Sequence, residues 1–140
     1  MDIHAGPADI AAAAEPAQRA IEEREEIGTI QRLLDAGPMG AAHGMQATLV
    51  ALWQRRVATL VVDDMYAAPG ACCRTCAALL QAPQGPCPVC SSNGIDVVPD
   101  VVELAIEQTL DEDGALELVR SAAARRMLAP IGPVAALLRW

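Results

Sequence analysis

Lysine and phenylalanine are absent from this chain, and Trp53, Tyr66 and Trp140 are its only aromatic residues. With so few rings, a core has to be assembled from Val, Leu, Ile and Ala. These bury less area per residue, so a metal staple would be a useful supplement. All ten basic residues are Arg, set against 18 acidic ones, for a net charge of −8. That balance opposes sequence-independent nucleic-acid binding, which needs clustered cations to neutralise phosphates, so direct RNA binding is not expected. No apolar run nears the ~20 residues that span a bilayer, and no membrane association is expected. The first twenty residues carry Asp2, Asp9 and Glu15 and lack a basic start followed by an apolar stretch. No export signal is therefore expected, and the cytoplasm is the expected location. What is present points to a folded protein: hydrophobic residues make up 53% of the chain and the mean hydropathy is +0.26. A length of 140 residues suits one compact domain.

Residues 1–37 read as a helical arm or connector. Pro16 fits a first helical turn. Ile21, Ile27, Ile30, Leu33 and Leu34 then recur at helical spacing, with Glu22, Glu23, Arg24, Glu25 and Glu26 between them as a solvated charged stretch. Gly37-Pro38 is a stop signal. Residues 38–140 alternate between strand and helix patterns. A short strand is expected over 39–43, a helix over 44–55 and a buried β-rich strand over 57–62. Asp100 and Glu103 form a capping box ahead of a helix with a broad apolar face. Strands are expected at 116–119 and 134–138, with a short helix between them capped by Ser121. The alternation implies an α/β layered fold.

All five cysteines fall within 72–90. Cys73-x-x-Cys76 and Cys87-x-x-Cys90 are separated by ten residues. Two residues between thiols allow a tight turn to aim both sulfurs, and nearby amides, at one ion. Two such knuckles supply the four thiolates of a closed tetrahedral site, so structural Zn²⁺ is the expected cofactor. A redox dithiol needs one pair rather than two, and disulfides belong to oxidising compartments. Iron would accept the same ligands. Cys72 is the spare thiol and the alternative to Cys73.

Other polar candidates carry less. Asp63 and Asp64 end a strand as a carboxylate pair with no converging partner in the sequence, and read as a solvated turn. His4 and His43 stand alone, and Ser91 and Ser92 lack a nucleophile context. Arg120, Arg125 and Arg126, with Arg139 nearby in sequence, form a candidate basic patch for a protein partner.

Read together, several segments resemble a known family. HGMQATLVALWQRRVATLVVDD (43–64) is similar to the opening of the third, C-terminal domain of archaeal and eukaryotic-type class I peptide chain release factors, where a Gly-initiated helix leads into a strand. CCRTCAALLQAPQGPCPVC (72–90) resembles a zinc-binding insert there. DVVELAIEQTL (100–110) and LELV (116–119) follow in the family's order, and IGPVAALLRW (131–140) is similar to its closing GGIAAILRY. The charged arm resembles the connector helix of the bacterial branch. The resemblance implies a three-layer α/β/α sandwich of the kind found in kink-turn-binding ribosomal proteins, with a zinc-ribbon-like insert over 70–95. It implies docking to the ribosome or to a translation factor, either the translational GTPase or the recycling ATPase. It also implies no catalysis, because peptidyl-tRNA hydrolysis belongs to a middle domain whose Gly-Gly-Gln loop this sequence lacks. Gly44-Met45-Gln46 instead matches the helix start of the third domain. The chain thus reads as a fragment or reduced member; an RNA-binding module of the same fold, or a piece of a longer hydrolase, are the alternatives. One departure concerns Ala77 and Ser91, which stand after the ligand pairs where glycine is usual.

Overall fold

The computed structural model describes residues 7–83 and 85–140, with side chains from Pro16 onward; His4 and the first residues of the expected arm lie outside them. Helix α1 runs Pro7–Gly40 and is kinked at Gly37, whose φ of 69° leaves the helical region. There follow β1 (Ala41–His43), α2 (Met45–Trp53), β2 (Val57–Asp63), β3 (Gly70–Cys73), β4 (Leu79–Leu80), β5 (Ile95–Val98), α3 (Val101–Asp111), β6 (Ala115–Val119), α4 (Ala122–Leu128) and β7 (Val134–Leu138).

Four strands form one sheet in the order β1-β7-β2-β6. β7 runs antiparallel to both β1 and β2, while β6 is parallel to β2. Helices cover both faces, as the α/β/α expectation requires. Side-chain alternation along each strand divides the core in two. Leu60 and Val62 of β2, with Val134 and Ala136 of β7, pack against α2 and α3. Val61, Ala135 and Val119 face the other way, onto Ile30 and Leu33 of α1 and Leu128 of α4. Burial on both faces explains why β2 reads as an unbroken apolar run rather than an alternating one.

Local chemistry sets the helix starts. The Asp100 carboxylate accepts from the Val102 amide at 3.0 Å and Ser121 Oγ accepts from the Ala124 amide at 3.1 Å, so both caps are in place, whereas Glu103 makes no return bond to the Asp100 amide and the expected box is not closed. α2 has no side-chain cap; it begins at Gly44, whose φ is 88°. The arm's apolar stripe is narrower than its spacing implied. Ile30 and Leu33 are fully buried while Ile21 and Leu34 are exposed: Leu34 is turned about 100° round the helix from Leu33, and Ile21 lies in the N-terminal half of α1, ahead of the buried stretch. There the buried Glu26 carboxylate accepts from the Arg120 and Ser121 amides, tying α1 to the end of β6. Among the described residues no helix is long and apolar enough to cross a membrane.

The Gly, Pro and Cys-rich stretch holds a second sheet that the sequence reading did not anticipate, in the order β4-β3-β5 and antiparallel throughout. Its root is pinned to α3. The Val101 amide donates to the Ala68 carbonyl at 2.9 Å, and Gly70 lies so close that a Cβ there would sit 2.6 Å from both the Leu80 carbonyl oxygen and the Val101 Cβ. Leu79 reaches past this root into the main core.

Candidate metal centre

The two Cys-x-x-Cys segments adopt the same backbone form. In the first, the Cys73 amide donates to the Ala78 carbonyl at 3.0 Å and the Ala77 amide to the Cys73 carbonyl at 2.9 Å. In the second, the Cys87 amide donates to the Ser92 carbonyl and the Ser91 amide to the Cys87 carbonyl, both at 2.8 Å. The residue after each second cysteine, Ala77 and Ser91, takes a left-handed φ of 65°. These are the two positions where the sequence lacks glycine. The knuckles keep their geometry regardless, at a cost of about 1–2 kcal/mol each for holding an L side chain in that region. Thr75 Oγ1 donates to Ser92 Oγ at 2.8 Å and links one knuckle to the other.

The turns bring four sulfurs together. Cys73, Cys76, Cys87 and Cys90 place their Sγ atoms all within 4.8 Å of one another. Cys73 and Cys90 are 3.5 Å apart, and Cys76 and Cys87 are 3.7 Å apart. A tetrahedron with Zn–S bonds of about 2.3 Å has edges of about 3.8 Å, so the set fits a divalent ion of that size. Main-chain amides also point at the sulfurs, as with the Val89 amide 3.4 Å from Cys87 Sγ.

The electrostatics agree with the geometry. Amide donation, from Cys76 first and then from Thr75, holds the Cys73 thiol down at about 6. The Ala78 amide acts the same way on Cys76, but burial and the crowding Cys90, Cys87 and Cys73 sulfurs outweigh it and push that thiol up to about 12. Cys90 is also raised: burial and the Cys73 sulfur oppose the Ser92 amide. One thiolate forms readily here, and further charge of the same sign is resisted. A cation removes that resistance.

Cys72 occupies the opposite face of β3, where it packs against the main core, and burial raises its thiol above the ordinary value. Cys73 is the residue brought into the tetrad. The three arginines expected to form a partner surface are placed differently from one another. Arg125 Nε pairs with Asp63 at 3.1 Å and Arg120 Nε with Asp64 at 3.7 Å, so the carboxylates read as a solvated turn partly neutralise the patch. Arg126 is exposed. Arg139 is turned to the main chain, donating to the carbonyls of Val57 and Glu112.

No protein-family model matches the sequence, and no curated protein matches it. Among solved structures, the chain is similar to the C-terminal domain of a peptide chain release factor from Methanosarcina mazei. The TM-score is 0.63 at 21% identity, over 100% of this chain and 96% of that one. The two share a fold from end to end.

Proposed function

We propose that this chain is a non-catalytic docking domain of a translation protein, of the release-factor type and its bacterial branch, with Zn²⁺ held by Cys73, Cys76, Cys87 and Cys90 as a structural element. The observation that carries this reading is the end-to-end fold likeness to a release-factor C-terminal domain, combined with a thiol tetrad formed by Cys73 of β3 and the turns beside the small second sheet. The order of sequence segments supports it independently, and so does the charged helix at the start. Four thiolates leave no open position for water, so bound zinc would supply charge neutralisation and cross-bracing rather than Lewis-acid chemistry. The working partners are the ribosome, the translational GTPase or the recycling ATPase, met in the cytoplasm where free thiols persist. The sandwich would act as the body and the braced insert as a rigid projection from it.

Co-sedimentation of the zinc-loaded chain with ribosomes and separated subunits, alongside binding assays with the two factors, tests the reading. Saturable binding to at least one of them is the expected result, weakened in Cys87→Ser if the insert contributes contacts. Binding to none of the three, with zinc present at one ion per chain, would overturn it.

A further inference from the structure

The outer strand β6 pairs only with β2 among the described residues, so its other side is an open sheet edge. Which main-chain groups face that edge follows from alternation. The Val119 carbonyl accepts from the Asp64 amide at 3.0 Å and therefore faces inward. The next amide, that of Arg120, faces outward and is taken by Glu26. Counting back by twos, Leu116 and Leu118 turn their N–H and C=O groups outward, and no described residue meets them.

Native edges are usually blunted against pairing with other chains. Here α1 blunts only the end, through Glu26. Beside it a groove of about 230 Å³ separates α1 from β6. Glu22, Glu25, Glu26 and Glu117 line this groove against a single guanidinium, that of Arg120, which is drawn 3.7 Å from Asp64 instead. Glu26 is occupied by amides and Glu117 lies 2.9 Å from the Thr29 hydroxyl. Glu22 and Glu25 have no ion pair among the described residues.

The geometry points to this edge as the site where an extended, basic segment of a protein partner adds a strand to the sheet. The segment's main chain bonds to Leu116 and Leu118, and alternate Lys or Arg side chains face the α1 carboxylates. Two other occupants are opposed by charge. A second copy of this chain would set Glu117 against Glu117 and bring both α1 acidic faces together. A nucleic acid would bring phosphates to carboxylates. The inference rests on the docking reading above and names the surface and the chemistry it uses.

The probe is an acetylated eight-residue peptide alternating Val and Lys. It is compared with its Val-Glu counterpart and with a Val-Lys peptide N-methylated at every residue, which has no amide N–H to give to a ladder on either edge. With the zinc-loaded, ¹⁵N-labelled chain, the Val-Lys peptide is expected to bind and slow exchange of the Leu116 and Leu118 amides. The Val-Glu and methylated peptides are expected not to. The double variant Glu22→Lys/Glu25→Lys, which reverses the two groove carboxylates that form no ion pair among the described residues, is expected to weaken Val-Lys binding about tenfold while leaving the fold intact. Equal binding of the methylated peptide, insensitivity to the charge reversal, or protection of these amides by self-association without peptide would each overturn the proposal. Running the same double variant in the co-sedimentation and factor assays separates the two readings. Partner binding that survives the reversal sinks the edge and spares the docking function, whereas absence of partner binding in the unaltered chain sinks the docking function itself.

Discussion

The sandwich and the cysteine insert solve the same problem by different means. In the sandwich, a four-stranded sheet is apolar on both faces, and Leu60, Val61 and Ala135 lose all contact with solvent between helix layers. In the insert, three strands of four, two and four residues surround a buried cluster of only Cys73, Ala78 and Cys87. So small a volume cannot repay its chain entropy by apolar burial alone. It also carries two non-glycine residues in left-handed conformation and four thiols crowded against one another. On the proposed zinc site its order has two sources: coordination by its sulfurs and attachment to the sandwich at its root. The difference teaches that one short chain can hold a region stabilised by area beside one that, on the proposed zinc site, is stabilised by ligation, the two joined through Ala68, Gly70, Cys72 and Leu79.

The largest expected effect breaks this division at its weak side. Cys87→Ser, or removal of the metal by a strong chelator, is expected to lose the bound ion and with it about 10 kcal/mol of ligation that orders the insert. Amides of β3, β4 and β5 should then exchange within seconds, while those of β2 and β7 stay protected. Simultaneous loss of protection in both sheets would show that the regions are not separable. Leu60→Ala attacks the other side. Truncating a fully buried side chain should cost the sandwich about 2–5 kcal/mol, read as a lower urea midpoint, with one zinc per folded chain retained. The smallest effect sharpens the comparison. Ala77→Gly and Ser91→Gly should each stabilise the loaded insert by about 0.5–1 kcal/mol by relieving the left-handed strain. The readout is slower loss of zinc to a chelator with an unchanged urea midpoint; faster loss in either variant would mean the methyl and hydroxymethyl groups pack favourably where they are.

Much of the sandwich was legible because its signals are local. The β-rich run at 57–62, the Asp100 and Ser121 caps and the apolar segment at 134–138 each announce themselves within a few residues. The convergence of four sulfurs was legible too, since Cys-x-x-Cys spacing dictates a turn whatever surrounds it. The strands of the insert were not. Gly70, Ala71, Cys72 and Cys73 carry no β-branched side chain, and their pairing is imposed by the knuckles and by the root on α3. Long-range pairings were equally hidden. Nothing in the spacing of Arg120 and Arg125 shows that Asp63 and Asp64 lie across from them. The open edge of β6 depends on strand order, which no single segment encodes. The stripe on α1 misled for a related reason: periodicity marks the face of a helix but not how far along it the sheet extends.

Gly70 has a consequence for how this protein can vary. With the Leu80 carbonyl and the Val101 side chain both within 2.6 Å of where a Cβ would stand, any replacement must push β4 or α3 away. Gln81, Ala82 and Pro83, which follow β4 directly, are exposed. A library of substitutions across 66–98 should therefore be intolerant at Gly70 and permissive over 81–83. An affinity tag, a spin label or a cross-linker set in this exposed stretch would report on whatever approaches the insert without replacing Gly70 at its root.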